Sequence, residues 1–97
     1  MIFDAGTTTI STAGSEQQIS NTNNRVRWLK LKALAANSGL VYIGVSDISA
    51  TNGYELSAGN EIELNFSDVG GTILWSAVYV DAATNGDKVC WVVILAG

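Results

Sequence analysis

The chain has 97 residues, which is the size of one domain, so we expect a single domain over residues 1–97. Hydrophobic residues make up 47% of it and charged residues only 14%, so polar uncharged side chains must cover much of the surface and protect it weakly against association. The net charge of −4, with five basic residues, excludes the broad basic field that nucleic-acid binding requires.

The first 20 residues are expected to form an extended N-terminal arm or edge strands. Gly6–Thr12 is rich in Thr, whose branched Cβ favours extended backbone, and Ser15–Ile19 is a second short extended segment. Residues 1–20 contain neither a basic start nor a run of seven apolar residues, so we predict no secretory signal. No stretch of the chain approaches the length of a membrane span. We therefore expect synthesis in a cytoplasm and no membrane contact.

The segment Val26–Leu34 alternates between apolar and basic residues with period two. This pattern predicts a strand whose leucines face the core and whose Lys30 and Lys32 face water. Four of the five basic residues lie in or beside this strand, and solvent-facing side chains are their simplest interpretation. Trp28 shares the face of the lysines, which favours a packing or subunit-contact role for its ring.

Three further strands are predicted in the middle of the chain. Leu40–Val45 is almost continuously apolar, which is typical of a strand covered on both sides, and Gly44 within it indicates a bulge or a close neighbour. Glu61–Phe66 alternates cleanly, so its two glutamates should form a solvated edge or face the lysines. Thr72–Asp81 is predicted to be one more strand.

The last strand, Lys88–Leu95, is apolar on both faces. A strand in a two-layer β domain normally has one face on the core and one in water, so a second apolar face indicates another protein surface. We predict that Trp91, Val93 and Leu95 meet a neighbouring subunit, together with Trp28.

The residues that most catalytic and metal sites need are missing. The chain has no His, and its single cysteine, Cys90, is interpreted as a small buried hydrophobe that forms no intramolecular disulfide. Loop side chains with oxygen donors of the kind that calcium binds are Asp47, Asn52, Asp81, Asn85 and Asp87. Their spacing matches no calcium loop, which favours ordinary Asx turns. We predict no enzyme activity, no metal and no cofactor.

Many short strands separated by turns, without a long amphipathic helix, predict an all-β fold. The expected architecture is a single β-sandwich or jelly-roll-like domain of about seven or eight short antiparallel strands.

Two stretches carry a resemblance to a known family. Val41–Phe66 contains Val-Tyr-Ile-Gly-Val, Gly-Tyr-Glu-Leu and Gly-Asn-Glu, and Ala77–Val89 contains Val-Tyr-Val-Asp and Gly-Asp-Lys-Val. This strand-loop-strand followed by a hairpin resembles small virion structural proteins of tailed bacteriophages, over residues 26–90. The more apolar end, Trp91–Leu95, departs from the pattern of these proteins.

The resemblance implies a sandwich or jelly roll without catalytic residues. The favoured function is a capsid decoration (cement) protein of a virion, made in the bacterial host cytoplasm. Its partners would be its own copies, with a trimer as the first expectation, and other virion proteins such as the major capsid protein. The alternatives are a tail or head-fibre accessory protein, or a carbohydrate-binding module that uses Trp28, Trp75 or Tyr54 as a stacking platform.

Overall fold

The computed structural model describes residues 2–66 and 71–96. Their strands are β1 (Ile2–Thr9), β2 (Gln17–Gln18), β3 (Arg25–Ala33), β4 (Val41–Gly44), β5 (Tyr54–Leu56), β6 (Glu61–Asn65), β7 (Ile73–Leu74), β8 (Tyr79–Ala82) and β9 (Lys88–Leu95). A 3-10 turn over Trp75–Ala77 separates β7 from β8. Within the described residues, no helix has the length and apolar character needed to cross a membrane.

The strands form two antiparallel sheets with the topology of a jelly roll. The larger sheet has the order β1-β9-β3-β6, with β7 paired to the start of β3, and the smaller sheet has the order β2-β8-β4-β5. The pairs β1 with β9, β2 with β8, β3 with β6 and β4 with β5 correspond to one long hairpin. Folding that hairpin over itself brings β9 beside β3 and β8 beside β4. The predicted all-β, jelly-roll-like sandwich is therefore confirmed.

The hydrophobic core lies between the inner faces of the two sheets. The larger sheet contributes the fully buried side chains of Val26, Leu29, Leu31, Ala33, Val89 and Val93. The smaller sheet contributes those of Val41 and Val80. A β-bulge between Val26 and Trp28 inserts one residue into β3, which keeps Val26 and Leu29 on the same inner face. The alternation predicted for this strand, with leucines in the core and Lys32 exposed, is confirmed.

The predicted single strand over Thr72–Asp81 is wrong. Its start, β7, pairs with the larger sheet, whereas β8 belongs to the smaller one. The chain therefore has to cross between the sheets, and it does so in the 3-10 turn that begins at Trp75. The side chain of Trp75 is only 3% exposed, because the crossing point lies over the core.

Three strands differ from the sequence expectation in their extent. β1 begins at Ile2 instead of Gly6, and β2 is reduced to Gln17–Gln18. β5, at Tyr54–Leu56, was not predicted. Three residues are too few to display an alternating pattern, and β5 is held as a strand by its register with β4.

The predicted cover over both sides of β4 is confirmed, since Val41, Tyr42 and Ile43 are all buried. The loop over residues 46–53 provides that cover on the outer side. Gly44 has the close neighbour that its place in a strand indicated, because a Cβ built on it would overlap the side chain of Ile48.

Gly6 is needed because the ring of Trp91 lies directly over it. A Cβ at this position would be 2.6 Å from Cζ2 of Trp91. We expect Gly6→Ala to lower the free energy of unfolding by about 1–3 kcal/mol, since the indole must move inside a packed core. Urea unfolding followed by Trp fluorescence measures the change. Gly71→Ala is the matched control, because among residues 2–66 and 71–96 the nearest non-neighbouring atom to its Cβ would be the Phe66 carbonyl oxygen at 4.0 Å. Equal losses in the two variants would contradict the prediction.

Candidate contact surface on the larger sheet

The inner face of β9 packs on the chain's own core. Val93 is 0% and Leu95 7% exposed, and Trp91 packs edge to face on Trp75 with ring centroids 5.2 Å apart. The prediction that Trp91, Val93 and Leu95 form a subunit contact is therefore corrected, because these side chains are directed to the interior. The physical reason is the register of β9 on β3, which pairs Val93 with Leu29 and Trp91 with Leu31, both of them leucines buried on the inner face.

The second apolar face of β9 is real, but it consists of the alternate residues. Cys90, Val92 and Ile94 are half-buried on the outer side of the larger sheet. Cys90 is therefore not the fully buried thiol that the sequence analysis expected. Successive side chains of a strand point to opposite faces, so Cys90 faces outward when Val93 faces the core.

Strand β1 extends this outer apolar face. Phe3 is paired with Ile94 and Ala5 with Val92, and directly paired residues share one face of a sheet. Phe3 is 70% exposed, although it is a large aromatic side chain. We call the set Phe3, Ala5, Cys90, Val92 and Ile94 the outer strip. The sequence pattern does not indicate Phe3 and Ala5 as members of this surface, because only the register of β1 against β9 places them there.

Charged residues border the outer strip on the other side. Lys30 of β3 pairs with Val92, and its Nζ lies 3.1 Å from Oε1 of Glu61 on β6. The expectation that the glutamates face the lysines is confirmed. An exposed ion pair of this kind contributes about 1 kcal/mol or less, so its main effect is to orient the side chains.

Trp28 lies on this outer face, beside the border of charged residues. It pairs with Ile94 across the sheet and is half-buried. Its indole Nε1 donates a hydrogen bond of 3.0 Å to Oε2 of Glu63, which fixes the direction of the ring. The location of Trp28 beside the outer strip suits a contact role, and that role stays a prediction.

A shallow depression of about 240 Å³ marks the boundary between the charged border and the outer strip. Its lining includes Lys30, Lys32 and Glu61 on one side and Cys90 and Val92 on the other. Such a surface can bury apolar side chains of a partner while the ammonium and carboxylate groups bind polar groups at the edge.

A concavity of about 460 Å³ lies on the smaller sheet and is lined by residues that include Tyr42, Thr51 and Asp81. Oδ1 of Asp81 accepts hydrogen bonds from the backbone N–H groups of Gly14 at 2.9 Å and of Ala82 at 2.7 Å. This oxygen of the carboxylate therefore holds the loop around Gly14 on the sheet.

Three of the other side chains considered as calcium donors, those of Asn52, Asn85 and Asp87, also bind backbone groups. Oδ1 and Oδ2 of Asp87 accept the N–H groups of Ser38 and Gly39, each at 2.9 Å. Oδ1 of Asn85 accepts the N–H of Ala13 at 2.6 Å. Among residues 2–66 and 71–96, no three His, Cys, Asp or Glu side chains come together in a group that could hold a metal ion.

The three aromatic residues considered as sugar-stacking platforms do not share a surface. Trp75 is buried in the core, so its assignment as a platform is wrong. Tyr54 is 59% exposed, but it belongs to the smaller sheet, whereas Trp28 lies on the larger one. A stacking surface of this kind on the larger sheet would depend on Trp28.

No protein-family model matches the chain, and a search of curated proteins finds no similar sequence.

Proposed function

We propose that this chain is a non-enzymatic structural component of a bacteriophage virion, acting as a capsid decoration protein. It would act through contacts with its own copies and with the major capsid protein. The observation that carries the proposal is the outer strip, which exposes apolar side chains on the broad face of a sheet. The resemblance over residues 26–90 supports it. Jelly rolls are also frequent in viral capsid proteins, which supports it by analogy alone.

The energetics of such a surface suit a protein present in many copies. Burial of apolar area contributes roughly 2.5 kcal/mol for every 100 Å². Association costs on the order of 4–15 kcal/mol, so one small contact binds weakly. Repeated contacts over a shell would make the combined attachment much stronger than each contact alone.

Co-sedimentation with empty shells of the major capsid protein encoded in the same genome tests the proposal. We expect the wild-type chain to sediment with the shells and Val92→Asp to lose at least tenfold in affinity, because a carboxylate would replace the centre of the outer strip. Tyr54→Asp is the matched control, since it makes the same apolar-to-acidic change on the smaller sheet. It should bind as the wild type does.

Absence of the wild-type chain from the sedimented shells would overturn the decoration role. Equal binding by Val92→Asp would remove the outer strip as the contact surface. Labelling of whole virions with a gold-conjugated antibody separates the head from the tail, and a tail label would select the accessory-protein alternative.

A second candidate function is oligosaccharide binding on the same face. The observation that favours it is the fixed indole of Trp28 beside Glu63 and the Lys30–Glu61 ion pair, since sugars bind to aromatic faces flanked by polar groups. Jelly rolls also include lectin domains. Titration of a glycan panel should then change the Trp fluorescence of the wild type and leave Trp28→Leu unresponsive. An unchanged wild-type spectrum across the panel would exclude the binding of those glycans at Trp28.

A further inference from the structure

The edge strand β1 differs from the other described sheet edges. β2, β5 and β7 have two or three residues each, and β6 exposes two glutamates. Short or charged edges of this kind resist pairing with another chain. β1 is eight residues long, its only charged residue is Asp4, and the chain has no Pro to interrupt it. It is therefore the described edge best suited to accept another strand.

The hydrogen bonds around β1 identify which of its backbone groups are directed away from β9. The N–H of Ile10 donates to the carbonyl of Asp87, so the backbone groups of Ile10 are directed toward β9. The carbonyl of Thr9 is directed the other way and accepts a hydrogen bond from the side-chain amide of Gln17. Lys88 is paired with Thr9, but its carbonyl accepts a hydrogen bond from the N–H of Leu34, on the side of β9 away from β1. Alternate residues of an antiparallel strand direct both backbone groups the same way. The outward groups of β1 therefore belong to Phe3, Ala5, Thr7 and Thr9.

Only part of this edge is open among the described residues. Gln17 covers the carbonyl of Thr9 through a 3.1 Å hydrogen bond from Nε2. The N–H of Ala5 binds Oδ1 of Asp4 at 2.9 Å, a local bond that a partner strand can replace. Phe3, Ala5 and Thr7 thus present donors and acceptors at every second residue, as an antiparallel partner requires.

We propose that β1 pairs antiparallel with β1 of a second copy, about a two-fold axis at Ala5. In this register Ala5 is opposite Ala5 of the partner subunit, and Phe3 is opposite Thr7 of the partner subunit. These pairs form roughly six backbone hydrogen bonds, two in each pair. The result is one continuous sheet shared by two subunits, with an isologous interface.

The neighbouring two-fold registers are disfavoured by the same residues. An axis at Asp4 places two carboxylates directly opposite each other, which is unfavourable across a strand pair. An axis at Gly6 would place Phe3 opposite Thr9 of the partner subunit, and Gln17 already occupies the carbonyl of Thr9, so only the pairs between Ala5 and Thr7 would form completely. With the axis at Ala5, Asp4 is opposite Gly6 of the partner subunit, which has no side chain to obstruct it.

The pairing also joins the two outer strips. Phe3 and Ala5 are at the β1 side of each strip, so the two-fold axis brings both strips together on one face. This inference concerns the purified chain alone and does not depend on the proposed virion role. Loss of dimerisation and loss of shell binding are therefore separate results.

Sedimentation velocity and light scattering of proline variants test the edge pairing. Thr7→Pro removes an outward N–H and leaves the inward bonds to β9 in place, a position where edge strands accept Pro. We expect a dimer for the wild type and a monomer for Thr7→Pro. Thr9→Pro is the matched control, because it makes the same change outside the paired stretch, and it should remain a dimer. Near-ultraviolet circular dichroism checks that both variants are folded.

A disulfide cross-link tests the register independently of proline. In a Cys90→Ala background, two copies of Ala5→Cys should form a disulfide with oxidised glutathione, which takes up the electrons and protons of the two thiols. Their Cα atoms would be roughly 5.5 Å apart, within the range of disulfides. The matched variant Thr9→Cys should remain uncross-linked, because the two Thr9 positions would be about 27 Å apart.

Asp4→Ala is a third test of the pairing. It removes the acceptor that competes for the N–H of Ala5, and it also removes one negative charge from each subunit. We expect the dimer dissociation constant to fall several-fold. A wild-type chain that is monomeric or trimeric would overturn the proposal, as would a folded Thr7→Pro that dimerises like the wild type. Equal cross-linking at positions 5 and 9 would overturn the register.

Discussion

Val93→Asp is expected to abolish the folded state, whereas Val92→Asp, one residue earlier in the same strand, should leave the domain folded. Val93 is fully buried between the sheets and paired with Leu29 of β3. Removal of its burial costs about 1.5–3 kcal/mol. An unpaired carboxylate in the core costs several kcal/mol more. The total approaches or exceeds the stability of an ordinary small domain, on the order of 5–15 kcal/mol.

Val92 differs because its side chain is half-exposed on the outer face. Its neighbour across the sheet is Lys30, so a carboxylate at this position gains a partner of opposite charge. We expect its unfolding midpoint in urea to stay close to that of the wild type. Far-ultraviolet circular dichroism and a urea titration of both variants check the pair.

The contrast between these two variants tests the orientation of β9. If Val93→Asp folded and Val92→Asp did not, the faces of the strand would be reversed, and Trp91, Val93 and Leu95 would again be candidates for a subunit contact. The same Val92→Asp protein serves in the shell-binding experiment, so its folded state is a required control there.

Asp87→Ala should cause the second large loss of stability. The buried carboxylate of Asp87 accepts the backbone N–H groups of Ser38 and Gly39, one at each oxygen. Hydrogen bonds to a charged group contribute about 1.5–3 kcal/mol each, and their loss leaves two backbone donors without a protein acceptor. We expect the free energy of unfolding to fall by about 3–5 kcal/mol, measured as a lower urea midpoint.

Asp87→Asn separates the hydrogen bonds from the side-chain volume. The amide keeps one acceptor oxygen and replaces the other with a donor, so we expect a loss of about half that of Asp87→Ala. Asp47→Asn is the control, because Asp47 is exposed and its φ of 71° is a value that Asn adopts readily. It should change stability by less than about 0.5 kcal/mol. If Asp47→Asn lowered the free energy of unfolding as much as Asp87→Ala does, the stabilising role of the Asp87 hydrogen bonds would be contradicted.

Where one face of a strand is polar, the amino-acid sequence alone determined its orientation. Lys30 and Lys32 can be solvated only if the alternating residues Leu29 and Leu31 face the core, and the structure has this arrangement. The glutamates of β6 follow the same rule, and the short alternating runs were sufficient for the all-β class. Period-two alternation carries this information because burial of a charge without a partner is costly.

Only the tertiary structure decided the features on which the candidate surface depends. β9 is apolar on both faces, so its sequence pattern does not indicate which set of alternate residues faces the core. The pairing of β9 between β1 and β3 directs Val93 inward, leaves Val92 outside and adds Phe3 to the same face. The crossing between the two sheets at Trp75 could not be predicted from the sequence either, since an apolar run does not indicate which sheet each of its residues joins. Pairing between distant segments decides these points, because the apolar residues on the two faces would gain similar free energy from burial.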